Sequence, residues 1–351
     1  MQQILIDFGT LNLFGLNIRL QIYGYGLMLV FGFLAGIWLA RWRTRRMGES
    51  REIVTTVCIL ALVGGVVGAR LAYVIQYWER FASSPGPFGE IFNVTSGGLI
   101  YYGGLLLATA MVVAYLWRKG LPIRRYLDIV SVSLMVGLAF GRAGCLLNGC
   151  CYGARCSEHW PLAMRFPMYS KPLIKLDGRR NPFSAGTNSP SPVYAHYFVL
   201  GQVRPDPELL GKFGGLIPPG QLAPTQVRIA EATRSRPVRP AQALGIANAL
   251  LIAGLLLVFF RCRRREGHVF ALLLVLYPIT RFCLEGIRSD TNLHMGLTHN
   301  QYTSLATMAA GIILFGALGW LAPSLGPTRS QRLIAQRAQH RAGPTRTKRK
   351  R

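Results

Sequence analysis

Most of this sequence is built around seven predominantly apolar runs, near residues 25–40, 53–75, 99–117, 126–147, 241–260, 268–286 and 303–322. Runs of this kind constrain a chain more than any motif does. About twenty apolar residues in helical form span roughly 30 Å of hydrocarbon, and inside lipid every backbone polar group must be satisfied within its own element. With 51% apolar and 15% charged residues, the chain reads as an all-α membrane protein. The predicted architecture is a seven-transmembrane-helix bundle with a small external insertion between spans four and five. The first run is short, and the residues before it are expected to lengthen it. Small residues recur four apart within the runs, as Gly32 with Gly36, Gly64 with Gly68 and Gly137 with Gly141. This spacing lets helix backbones approach closely.

The formal charge of +26 raises the question of nucleic acid, and its placement answers it. Arg41, Arg43, Arg45, Arg46 and Arg51 follow the first run, and Arg118, Lys119, Arg124 and Arg125 separate the third from the fourth. Arg261, Arg263, Arg264 and Arg265 follow the fifth, and a basic tail follows the seventh. The alternate loops, 78–98 and 287–302, carry one arginine each, Arg80 and Arg288. Basic clusters beside alternate span ends are the signature of orientation in a bilayer. They predict a cytoplasmic C-terminus and an external N-terminus, with no nucleic-acid partner. Met1 to Leu20 contains Asp7 and no basic segment ahead of an apolar core, so a cleaved leader is not expected. The predicted segments are residues 1–147 with spans one to four, an external insertion 148–240, residues 241–322 with spans five to seven, and a basic cytoplasmic tail 323–351. The stretch "SPVYAHYFVLGQV" within the insertion suggests strands.

Charge inside a span costs about 2.5–3.5 kcal/mol per residue on insertion scales, so each instance calls for a reason. The predicted in-span charges are Arg70, Asp128 near an end, Arg142, Arg281 and Glu285. With the topology above, Arg142 lies about 24 Å along span four and Arg281 about 20 Å along span six. Glu285 follows one turn later. Arg70 lies near the outer end of span two. Tyr25, Tyr102 with Gly103 and Gly104, and Gln242 open spans one, three and five from the same side. Residues from six runs are therefore predicted at one level, in the outer half of the bilayer. Three arginines against one near carboxylate leave positive charge over. An anionic ligand such as a phospholipid phosphate would compensate it through bidentate guanidinium contacts, whereas a structural network would pair the arginines with carboxylate or carbonyls.

Cys145, Cys150, Cys151 and Cys156 form a C-x4-C-C-x4-C pattern. Paired zinc ligands two to four apart and a C-x-x-C redox motif both differ from it. The expectation is that Cys145 packs between helices and that the others cap the outer helix end, with an external disulfide left open. No metal ligand set is predicted, and the cysteines are not expected to be catalytic. Phosphate loops, H-E-x-x-H and G-x-S-x-G elbows are not found in the sequence.

Several stretches together resemble the prolipoprotein diacylglyceryl transferase family of bacterial plasma membranes. "GRAGCLLNGCCYG" resembles the family signature through Gly141, Arg142, Gly144, Asn148 and Gly153. "RFCLEGIRSD" resembles its late Arg-x3-Glu motif through Arg281 and Glu285. "YGYGLM" supplies Tyr25, "GARLAYV" supplies Arg70, and "GLTHNQYTSL" resembles the entry to the last span. The chain departs from the family at Tyr102, where a histidine is usual, at Cys145 and Cys150 in the signature, and around Gln242.

The resemblance implies transfer of a diacylglyceryl group from phosphatidylglycerol to the lipobox cysteine thiol of a prolipoprotein signal peptide, in the bacterial inner membrane. The expected catalytic residues are Arg142, Arg281, Tyr102 and Tyr25. The expected substrate-binding residues are Arg70, Gly103, Gly104, Gly144, Asn148, Gly153, Gln242 and Glu285. This reading requires no metal or organic cofactor; its partners are the two substrates and membrane lipids. The alternative, resting on Tyr102, is a homologue impaired in catalysis that binds or transports lipid.

Overall fold

A computed structural model describes the chain except for residues 1–2, 14–15, 83–90, 93–97, 161, 172–173, 176–189, 212–213, 264, 289–292, 295 and 322–351. The predicted basic tail therefore lies outside the described residues. Seven long helices are described: α1 (Gly24–Met47), α2 (Arg51–Gln76), α3 (Tyr101–Arg118), α4 (Ile123–Asn148), α5 (Ala241–Cys262), α6 (His268–Glu285) and α7 (His299–Leu321). Six of them are long and apolar enough to cross a membrane by length and composition. The remaining one is α3, where the third span is expected. It has 18 residues and begins with two tyrosines and two glycines before its apolar stretch. Large apolar side chains stay exposed along these helices, among them Ile75 at 74% and Ile313 at 71%. Lipid would cover such surface at no cost.

The first run is not lengthened by the residues before it. Strands β1 (Ile4–Leu13) and β2 (Leu16–Tyr23) pair as an antiparallel hairpin, and α1 instead gains its length at the far end, through Met47. The alternation Leu16, Ile18, Leu20, Ile22 has the period of two that a strand needs. It carries Asn17, Arg19 and Gln21 between, which no lipid-facing turn would hold.

The chain divides into two compact units. The first comprises Met1–Gly36, Ser131–Val258 and Ala271–Ile313. In it, Gly32 approaches α4 so closely that a β-carbon would stand 2.8 Å from Phe140 Cβ, and Gly36 faces Ser133. Gly141, expected to join this seam, has nothing within 4 Å of where its β-carbon would be. Most of the insertion's described part is irregular, with two small cores. One is formed by Met168, Tyr169, Tyr194, Leu209, Leu222 and Ala230, the other by Tyr152, Phe166, Val193, Tyr197 and Val238. Tyr169 Oη donates to the Ile217 carbonyl at 2.6 Å. Burial, then the neighbouring Tyr194, push this hydroxyl up to about 12, so it remains a donor.

The stretch expected as strands is helical at Pro192–Val199. Proline sits in the first helical turn, and the Ser191 hydroxyl accepts from the Tyr194 amide. That is a helix start, and it outweighs the aromatic and β-branched composition. One expected-insertion strand exists elsewhere: β3 (Ile174–Lys175) adds in parallel to β1.

The second unit comprises Ile37–Val130, Phe259–Phe270 and Leu314–Arg351. Here α2 and α3 pack through small residues. A β-carbon on Gly64 would stand 2.9 Å from Ala108 Cα, and one on Gly104 would stand 2.5 Å from the Gly65 carbonyl. Gly68 and Gly103 face each other more closely still. The unit also contains a charged core that the runs do not announce. Arg43, placed by its sequence neighbours in a basic loop, lies within α1 and is 2% exposed. Its Nη1 donates to the Ile129 carbonyl and its Nη2 to the Asp128 carbonyl. Asp128 accepts from the amides of Gly267 and Phe270 at 2.8 and 3.0 Å and pairs with Arg263 at 3.5 Å. Both guanidinium groups stand over the Phe260 ring, at 3.8 and 3.7 Å from its centroid.

Candidate functional site

The charged residues of the first unit sit where helix ends meet loops. In α6, Arg281 and Glu285 are one turn apart and form an ion pair through Nη1 and Oε2. Glu285 is 1% exposed and also accepts from Asn300 Nδ2 at 2.8 Å. Asn300 is held by a capping box at the start of α7. The Thr298 hydroxyl accepts from the Gln301 amide at 3.2 Å, and the Gln301 side chain accepts from the Thr298 amide at 2.9 Å. Asn300 lies inside the quoted "GLTHNQYTSL", but only the structure gives it this role.

Arg142 is treated differently. Its aliphatic stem runs past Gly245 of α5, where a β-carbon would stand 3.2 Å from Arg142 Cδ. Its guanidinium makes no hydrogen bond or ion pair among the described residues. Tyr25, at the first turn of α1, packs against Gly144 of α4: a β-carbon on Gly144 would stand 2.8 Å from Tyr25 Cδ2. The glycine is thus required by a side chain's close approach. Gln242 is fully buried and donates to the Cys150 carbonyl at 2.9 Å. The Asn148 carbonyl accepts from Gln3 Nε2 at 3.2 Å. Gly153 donates its amide to the Arg239 carbonyl at 3.0 Å and has no room for a β-carbon against Arg239. The next amide, of Ala154, donates to the Ile287 carbonyl at 2.8 Å, just past α6. Five helices therefore supply this region: α1 through Tyr25, α4 through Arg142, α5 through Gln242 and Gly245, α6 through Arg281 and Glu285, and α7 through Asn300.

The turn after α4 is strained. Gly149 and Cys151 have φ of 71° and 57°. For Cys151, a residue with a β-carbon, the left-handed region costs on the order of 1 kcal/mol. The turn carries its thiol back toward the helix, so that the sulfurs of Cys145, Cys150 and Cys151 lie within 4.8 Å of one another. The C-x4-C-C spacing alone does not reveal this grouping, because the left-handed turn makes it. All seven cysteines are free thiols.

The remaining expected site residues belong to the second unit. Arg70 is buried and donates to the carbonyls of Ile91 and Gly98 at 2.9 and 3.0 Å. Gly103 and Gly104 are filled by the approach of α2. Tyr102 is 52% exposed at the start of α3.

Comparison with known proteins gives these observations a family. The family model described as prolipoprotein diacylglyceryl transferase matches residues 12–317. A phosphatidylglycerol–prolipoprotein diacylglyceryl transferase of Clostridium tetani is 27% identical over 306 residues, covering 87% of this chain and 94% of that protein. One from Bacillus anthracis is 25% identical over 83% of this chain and 86% of its own length. A third, from Rhodopirellula baltica, is 33% identical over 56% of this chain, a match that spans 41% of that relative.

Proposed function

The chain belongs to the prolipoprotein diacylglyceryl transferase family, and we propose that it transfers the diacylglyceryl group of phosphatidylglycerol to a prolipoprotein cysteine thiol. As a member of this family with six apolar helices it is a multi-pass membrane protein. The observation that carries the site reading is Arg142: a half-buried arginine in a membrane helix that makes no hydrogen bond or ion pair among the described residues, within the segment the family model matches. An arginine so placed suits an anionic group from the lipid.

In the proposed reaction the thiol sulfur bonds to the glycerol carbon as the bond from that carbon to the phosphate oxygen breaks. Glycerol phosphate leaves with the electron pair. Arg142 neutralises the charge gathering on the phosphate, together with Arg281, whose position Glu285 and Asn300 fix. Tyr25 orients the thiol, and the departing phosphate oxygen takes up the thiol proton, so the step balances without a separate base. Gly144 keeps Tyr25 against α4, and Gln242, Asn148 and Gly153 hold the turn beside Arg142. The thiol belongs to the lipobox cysteine of an exported signal peptide, and the chain resides in the bacterial inner membrane.

In the proposed topology α3 also spans, as the third of seven, the N-terminus and residues 148–240 are external, and the tail is cytoplasmic. Reporter fusions at Arg265 and Thr187 should read cytoplasmic and external; the same side for both would sink the topology. The activity is tested by complementing a cell depleted of its own transferase and reading lipoprotein mass. A diacylglyceryl mass increment on the cysteine is the expected result. An expressed, membrane-inserted protein that yields no increment favours the second reading, a lipid-binding homologue, which Tyr102 in place of the family's usual histidine supports.

A further inference from the structure

The thiols of Cys145, Cys150 and Cys151 stand outside the chemistry proposed above, and their geometry is that of a donor set. Their sulfurs lie within 4.8 Å of one another. Sulfurs sharing one zinc ion at about 2.3 Å each would be about 3.8 Å apart, so modest side-chain rotation closes the remaining gap. Two further observations separate this cluster from chance packing. Cys151 holds a left-handed backbone conformation that residues with a β-carbon rarely adopt, and that conformation brings its sulfur to the others. The turn is clamped on both sides of it, by Gln242 on the Cys150 carbonyl and by Arg239 on the Gly153 amide.

We propose that Cys145, Cys150 and Cys151 bind a single thiophilic closed-shell cation, Zn2+ or Cu+, that locks the turn following α4. The all-sulfur donor set selects this class over magnesium, calcium or manganese, which prefer oxygen. Three sulfurs complete a trigonal cuprous site, whereas zinc would hold a water in the fourth position. The role is structural: the ion replaces the packing and capping expected from sequence with a fixed link between the end of α4 and the turn leading to Gly153.

The full-length protein, purified under reducing conditions from cells grown with added zinc or added copper, tests this by elemental analysis. About one equivalent of one metal is expected, and which growth condition fills the site distinguishes the two ions. Cys145→Ser, Cys150→Ser and Cys151→Ser should each lower occupancy about tenfold or more, whereas Cys58→Ser and Cys262→Ser should leave it unchanged. A second measurement needs no variant. In the wild-type protein, bound metal should slow iodoacetamide labelling of the three thiols about tenfold relative to chelator-treated protein, with exposed Cys262 labelling equally in both. Under a tenth of an equivalent in both growth conditions, labelling indifferent to chelation, or a disulfide within the cluster overturns the proposal. None of these readouts depends on transferase activity, so failure of the function and failure of the metal site remain distinguishable.

Discussion

Two arginine environments in this molecule make opposite use of the same side chain. In the second unit Arg43 is held by the protein: two backbone carbonyls accept from its guanidinium, the Phe260 ring lies beneath it, and Asp128 pairs with the neighbouring Arg263. In the first unit Arg281 is matched by Glu285, which Asn300 also holds, but the other motif arginine, Arg142, makes no hydrogen bond or ion pair among the described residues and runs its stem past Gly245. Burying a charge is tolerable when the protein itself supplies partners for it, and the result then acts as a lock. Where the protein withholds the partner, something else must supply it. The difference separates an arginine that holds helices together from one that holds a ligand, and it is invisible to a count of in-span charges.

The largest expected effect breaks the ligand-binding side. Arg142→Lys keeps the charge and loses the planar fork, so diacylglyceryl transfer measured by lipoprotein mass should fall about 10²-fold or more, with the unfolding midpoint in detergent unchanged. On the other side, Asp128→Ala removes the carboxylate that pairs with buried Arg263 and accepts from the Gly267 and Phe270 amides, and should cost about 3–5 kcal/mol of stability. Activity per folded molecule should persist, and activity lost at unchanged stability would move the cluster out of its structural role. A smaller effect is expected at the helix seam of the same unit. Gly68→Val overfills the contact with Gly103 and should cost about 1–3 kcal/mol, measurable as a lowered unfolding midpoint. The smallest sharpens the comparison by touching neither environment. Ser191→Ala removes a helix cap in the insertion and should cost about 1 kcal/mol, with transfer unaffected.

Sequence periodicity and length are enough to place the long helices, because hydrocarbon thickness sets a minimum that is easy to read. They fail where a local rule overrides composition. Leu16–Tyr23 is a strand because Asn17, Arg19 and Gln21 alternate with apolar residues, a period that a search for long apolar runs averages away. Residues 192–199 are a helix because Pro192 and Ser191 start one. Arg43 escapes because a basic cluster reads as a loop, and only packing reveals that α1 continues through it. Of the site, Arg142, Arg281 and Glu285 stand out as charges in apolar runs, and the pairing of the latter two follows from their spacing of four. Asn300, the Gly245 approach to Arg142 and the gathered thiols depend on tertiary contacts and on a left-handed turn, which spacing does not encode.

The central claim is that Arg142 holds a lipid phosphate. Wild-type protein and Arg142→Gln, purified from the same cells, are compared by mass spectrometry of co-purifying lipid and by unfolding midpoint. Phosphatidylglycerol retained relative to diacylglycerol should drop about tenfold in the variant at an unchanged midpoint, the consequence of losing a charge-assisted bidentate contact. A lowered midpoint with the ratio unchanged would show that Arg142 is a lock of the same kind as Arg43, and would contradict the claim.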